Sequence, residues 1–269
     1  MLFWYTFGKV NIDFCKYQGT GNDFVIVDNR SMHFLSDNLE LVAELCDRRL
    51  GIGADGLILM ENDSTADFKM VYYNSDGHLS SMCGNGGRCI VHFARLMGVI
   101  DTEATFAAID GTHRATITGD QVDLGMNDVT EVEVTETYSY MNTGSPHYSV
   151  WCDNVEMIDI DSEARAIRYN ERFLEEGTNV NFLTWSEGIV QIRTYERGVE
   201  GETLSCGTGM VAAALYASLT GKLGVEKKCA LYTKGGRTEV AFVKEKDDTF
   251  RDVHLIGAAT LVYKGNIDV

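Results

Sequence analysis

A single proline, Pro146, stands in 269 residues. No proline-rich linker divides the chain, so any joint between folding units must be short; it is expected near residues 127–131. Positive charge is scarce as well: 23 lysines and arginines face 40 aspartates and glutamates, a formal net charge of −17 with a pI near 4.7. That balance argues against a nucleic-acid or membrane partner, since both select basic surface. No Cys-x-x-Cys pair or His-rich cluster offers zinc-ligand spacing, so no metal is expected. The seven cysteines (15, 46, 83, 89, 152, 206 and 229) are odd in number and dispersed, which favours a reducing cytoplasm over a disulfide framework. The apolar N-terminus lacks a basic region and a cleavage site, and it is too short to span a bilayer. Residues 1–11 read as an extension or a first strand.

Against these absences stands a repeated signature, Cys83-Gly84-Asn85-Gly86 and Cys206-Gly207-Thr208-Gly209. Each opens an apolar run that ends in glycine, at Gly98 and Gly221. The offset of 123 residues also carries Thr20-Gly21-Asn22 onto Thr143-Gly144-Ser145. Strand-like alternation predicts strands over 24–27, 57–60, 68–73, 116–124 and 129–134, then 148–151, 180–185 and 189–195. Helical spacing predicts helices over 38–50 and 162–172. Residues 210–219 are apolar on nearly every side, and 89–97 carry only His92 and Arg95 as polar breaks, so both segments must be enclosed by protein. The expected fold is therefore α/β with mixed sheets, in two pseudo-symmetric halves with a cleft between them. Each half would be a mostly antiparallel sheet wrapped around a central helix. The halves are placed at 12–128, completed by a C-terminal strand from 259–269, and at 129–258.

A helix start leaves backbone N–H groups without partners and favours negative charge. A cysteine placed there is expected to have a lowered pKa and to ionise to a nucleophilic, basic thiolate. The same N–H groups can hold a substrate carboxylate, and the neighbouring glycines let a ligand approach the backbone. Two such starts facing one cleft would put a sulfur on each face of a substrate carbon. One thiolate would remove the α-proton while the other thiol delivers a proton from the opposite side. Carboxylate capture would offset charge building up in the enolate-like transition state, so no cofactor is required. A lone Cys-Gly before a helix is more often a buried packing residue; two in register tip the balance toward a paired device.

These residues resemble the diaminopimelate epimerase family, from about Phe14 to the end. The blocks 16–24, 46–56 and 73–77, then 82–86, 144–147, 177–181 and 195–209, follow one order. The resemblance implies cofactor-independent interconversion of LL- and meso-diaminopimelate, an isomerase of lysine and peptidoglycan-precursor biosynthesis acting on a small molecule as a homodimer. It implies that Cys83 and Cys206 are the acid–base pair, supported by His147 and Glu196. Gly84, Asn85, Gly207 and Thr208 would bind the reacting carboxylate. Asn22, Asn74, Asn179, Glu196 and Arg197 would contact the substrate's amino and carboxyl groups, with Arg197 suited to a distal carboxylate. Two positions depart from the commonest pattern: Ser145 stands where many members have asparagine, and Gly56 where some have a glutamine that touches substrate.

Two other readings stay open. A related racemase acting on proline or hydroxyproline shares the thiol blocks, though the 19–24 and 196–198 blocks favour diaminopimelate. A redox protein would use the facing thiols as a disulfide. Gly51 to Gly56 fits the literal dinucleotide pattern G-x-G-x-x-G. A helical pattern precedes it and a strand-like run follows, the reverse of what such a site needs.

Overall fold

The computed structural model describes residues 11–34 and 38–269; of the expected extension, only Asn11 falls within them. The first part of the chain runs β1 (Asn11–Gly19), β2 (Asn22–Asp28), α1 (Leu39–Cys46), β3 (Gly56–Glu61), β4 (Phe68–Asn74), α2 (Gly84–Leu96), β5 (Glu103–Ala108), β6 (Gly111–Thr118) and β7 (Gln121–Gly125). The second continues with β8 (Val132–Val134), β9 (Tyr138–Asn142), β10 (Pro146–Trp151), α3 (Ile160–Arg168), β11 (Asn179–Ser186), β12 (Ile189–Glu196) and β13 (Gly201–Thr203). It ends with α4 (Gly207–Leu219), β14 (Lys228–Thr233), β15 (Gly236–Lys244), β16 (Phe250–Ala258) and β17 (Thr260–Asp268).

Four sequence expectations are corrected. The helix over 38–50 stops at Cys46, because the Asp47 carboxylate accepts the Arg49 and Leu50 N–H groups at 2.7 Å and draws the chain into a turn. The helix over 162–172 lies earlier, since the Asp159 carboxylate accepts the Ser162 N–H and fixes the start at Ile160. The strand over 116–124 is a hairpin of β6 and β7, with Gly119 at φ +60° in its turn. Burial falls on Ala115 and Ile117 in β6 and on Val122 and Leu124 in β7, so the alternation changes parity across the two-residue turn, a shift of one residue that reading the stretch as one strand overlooks. Of the strand over 129–134 only β8 is regular; Val129 makes a single bridge to Phe250.

Among the described residues, four strand pairings are parallel (β2–β3, β4–β5, β10–β11 and β12–β14) and the others antiparallel. The sheet curls around two helices. α2 sits in a core with Phe24, Ile58, Phe68, Phe106 and Leu124, and α4 in a second with Leu183, Ile192, Leu231, Val240 and Leu255. Met210, Val211 and Leu215 on α4 are fully buried, each contributing roughly 2 kcal/mol. β17 returns to pair with β1 from Asn11↔Asp268 to Gln18↔Thr260. The β7–β16 ladder joins the sheet around α2 to the sheet around α4. No described helix is long and apolar enough to cross a membrane.

The 123-residue offset is visible in the backbone. Phe24 pairs with Gly56 in the parallel β2–β3 ladder, and His147 with Asn179 in the parallel β10–β11 ladder, each residue shifted by the same offset. The Thr20 hydroxyl reaches Asn85 in the first turn of α2 at 3.4 Å, and the Thr143 hydroxyl donates to the Thr208 carbonyl in the first turn of α4 at 2.8 Å. The two helix starts meet head on: a Cβ placed on Gly207 would lie 3.2 Å from the Gly84 Cα and 3.3 Å from the Asn85 nitrogen. Only glycine lets them approach so closely.

Candidate active site

Cys83 is the residue before α2 and Cys206 the residue before α4, both in extended backbone. Both are free thiols, half buried. The helix starts open onto one cleft of about 840 Å³, whose wall includes Asn22, Asn74, Cys83, Gly84, Ser145, Asn179, Glu196, Arg197, Gly207 and Thr208. Ser205 and Gly207 on either side of Cys206, and Gly84 before Asn85, line it as well, while His147 contacts its lining residue Thr208 at 2.8 Å.

The expectation of a lowered thiol pKa is corrected. Burial pushes Cys83 up to about 11, although the Gly86 and Asn85 N–H groups and the Arg88 guanidinium act downward. Burial holds Cys206 well above the usual thiol value, and the Glu196 carboxylate adds to this against Thr208 and the Gly209 N–H. The helix-start effect is present at both sulfurs, but desolvation outweighs it.

Around Cys83, the thiol donates to the Asn22 carbonyl oxygen at 3.4 Å, and the Asn22 amide donates to Asp55 at 2.6 Å. Fully buried Asn85 donates to Asn22 and to the Ser205 hydroxyl, at 3.3 and 3.1 Å, so it ties the two helix starts together. Behind it Arg88 is also fully buried, its Nη2 donating to Thr20 at 2.9 Å and to the Asn85 carbonyl at 3.1 Å. Its Nε and Nη1 have no partner among the described residues. Arg88, Thr20 and Ser205 are not apparent as site residues from the sequence alone. Arg88 falls between the helix start at Cys83 and the apolar stretch that begins at residue 89, a charge inside an enclosed helix.

Around Cys206, the Thr208 hydroxyl lies 3.4 Å from the sulfur and 2.8 Å from His147 Nε2. Asn181 Nδ2 donates to His147 Nδ1 at 3.2 Å, which places the ring proton on Nε2. Burial drives the His147 pKa down to about 3, so the imidazole is neutral. His147 therefore reaches Cys206 through Thr208 and does not touch either thiol directly. Glu196 accepts from the Thr203 hydroxyl; burial raises its carboxyl above the usual range. The Ser145 hydroxyl accepts from Asn179 at 2.8 Å, and the Asn179 carbonyl holds the Arg197 N–H at 2.9 Å. The exposed Arg197 guanidinium donates to the Glu176 carbonyl at 2.8 Å, and Arg197 lines the same cleft. Asn74 closes β4 at the cleft wall. Arg48, Asp55, Tyr72 and Thr203 also line the cleft and were not singled out from sequence.

A pseudo-symmetric pair of sheet-wrapped helices with a cysteine at each helix start defines the class. The same fold recurs in a PhzF-family phenazine biosynthesis protein of Bacillus anthracis (TM-score 0.77, 13% identity, covering 96% of this chain and 99% of that one). It recurs in a hydroxyproline epimerase from Agrobacterium vitis with bound trans-4-hydroxy-L-proline (TM-score 0.69, 14% identity, 100% and 94%). Sequence narrows the class: the diaminopimelate epimerase family model matches residues 14–132 and 139–262, and the chain belongs to that family, a family of isomerases. The diaminopimelate epimerase of Flavobacterium psychrophilum is 49% identical over 254 residues, 94% of this chain and 98% of the relative. Those of Chlorobaculum tepidum and Aquifex aeolicus are 42% and 37% identical, with at least 93% of this chain and 98% of each relative covered.

Proposed function

We propose that this enzyme interconverts LL- and meso-diaminopimelate by moving a proton across the α-carbon between two cysteine sulfurs. The observation that carries this reading is the pair of thiols before two helices that abut at one cleft. The substrate's α-carboxylate would sit on the N–H groups opening α2 and α4, from Gly84, Asn85, Gly207 and Thr208, with one sulfur on each face of the α-carbon. With Cys83 as thiolate and Cys206 as thiol, the α-C–H bond breaks and the proton passes to the Cys83 sulfur. The electron pair delocalises into the carboxylate, where the helix N–H groups stabilise it. The Cys206 S–H then gives its proton to the opposite face, leaving a thiolate there; the reverse reaction exchanges the roles. His147, neutral and pinned by Asn181, orients Thr208 beside Cys206, and Glu196 holds Cys206 in its protonated form. Asn22, Asn74, Ser145, Asn179, Glu196 and Arg197 are positioned to discriminate the substrate, Arg197 by pairing with the distal carboxylate. Dispersed free cysteines favour a reducing cytoplasm, and the exposed Val262 and Tyr263 on β17 favour a homodimer.

Proton NMR of LL-diaminopimelate in deuterated buffer, with no added cofactor, tests the reading. The α-proton signal should decay and the meso isomer appear. Cys83→Ser and Cys206→Ser should each lose at least about 100-fold in kcat. Wild-type turnover of either variant would overturn the two-thiol assignment, and turnover of proline or hydroxyproline alone would move the enzyme to the sister activity.

A further inference from the structure

Gly56 and Asn179 are pseudo-equivalent: each opens the strand that pairs in parallel with the strand following a Thr-Gly hairpin, opposite Phe24 and His147. In the second half that register position puts an amide into the cleft wall. In the first half it supplies no side chain, and none fits. A Cβ on Gly56 would collide with the Tyr73 carbonyl oxygen and lie 2.5 Å from Tyr72 Cε2 and 3.1 Å from the Tyr72 hydroxyl oxygen. The space is filled from the neighbouring strand by the Tyr72 phenol.

We propose that Tyr72 is a substrate-contacting specificity residue, its hydroxyl standing where a side chain at position 56 would project and accepting a hydrogen bond from an ammonium group of the diamino dicarboxylate. The ring is fixed edge-on against Phe24, with centroids 5.9 Å apart, and lines the cleft. Its hydroxyl makes no hydrogen bond to any described residue, although it is half buried. Burial, first, and then Cys83, Asp55, Glu196 and Cys46 keep the phenol protonated. The two thiols are neutral at neutral pH, so the negative charge near it comes from Glu196 and from Asp55, which also pairs with Arg48 at 2.7 Å. An unpartnered neutral oxygen on the cleft wall near the Glu196 and Asp55 carboxylates suits an ammonium better than a carboxylate.

The inference rests on the proposed activity, and Tyr72→Phe separates the two. The variant keeps the ring, so the packing with Phe24 survives. KM for diaminopimelate should rise about tenfold or more with kcat within about twofold of wild type. Because the hydroxyl has no protein partner, the melting temperature should stay within about 2 °C. Unchanged KM would overturn the inference, and a larger fall in melting temperature would show that the hydroxyl is held by protein instead. Failure of the wild-type enzyme to turn over diaminopimelate would defeat the functional reading itself.

Discussion

Burial sets the chemistry of individual side chains in this cleft. At both thiols desolvation overrides the helix start, so thiolate is the minority form at neutral pH. His147 shows the same effect with opposite sign, its pKa falling from 6.5 to about 3 because the charged form has no water. A folded pKa below the unfolded one means the unfolded chain binds more protons between those values, so stability is present above 6.5 and is lost as pH falls. His113 pulls the other way: burial lowers it, but Asp110 raises it more, so only a difference measurement isolates His147. His147→Asn should be less stable than wild type at about pH 7, and the gap should narrow by about 2 kcal/mol on acidification to about pH 5. Urea denaturation at the two pH values measures this. A gap that does not change would mean that the His147 pKa is the same in the folded and unfolded chain, and a gap that widens would mean that the folded enzyme holds it protonated.

The working unit at the scale of elements is a helix start, used twice. Gly84 and Gly207 let α2 and α4 approach until backbone meets backbone. In most helices Gly→Ala is neutral or stabilising. Here the Cβ of Gly207→Ala would meet the Gly84 Cα at 3.2 Å and the Leu255 Cδ2 at 3.2 Å, and backbone cannot swing aside. The helix starts should part by tenths of an ångström, with kcat falling about tenfold or more and KM little changed; steady-state kinetics decides. Wild-type kcat would mean that the contact is slack. The twin signature was legible because a cysteine, a glycine and an enclosed apolar run must all recur to build such a start. Arg88, the Thr208 link from His147 to Cys206, and Tyr72 beside Gly56 were not legible. Each depends on which side chain fills a space left by a residue distant in sequence, and periodicity carries no record of that. The hairpin at Gly119 leaves only a local trace, a change from odd-numbered buried positions before the turn to even-numbered ones after it.

At the scale of the whole molecule, residues 123 apart, Cys83 and Cys206, precede two helices whose starts abut, and the proposed mechanism puts them on opposite sides of one carbon. β17 closing on β1, the β7–β16 ladder, and Asn85 bonding Ser205 hold the two cores in one arrangement. That arrangement was foreseeable from the duplicated offset, whereas the contacts that fix it were not, since they join segments with no shared pattern. The central claim is that two different sulfurs handle the proton, one on each face. It is tested most directly by the isotope at the α-carbon during the first few per cent of LL-to-meso conversion in deuterated water. The account predicts meso product carrying solvent deuterium at the inverted carbon while the remaining LL substrate stays protiated, because the sulfur that takes the proton is not the one that returns it. Meso product that retains the original proton would mean that a single group does both, and would contradict it.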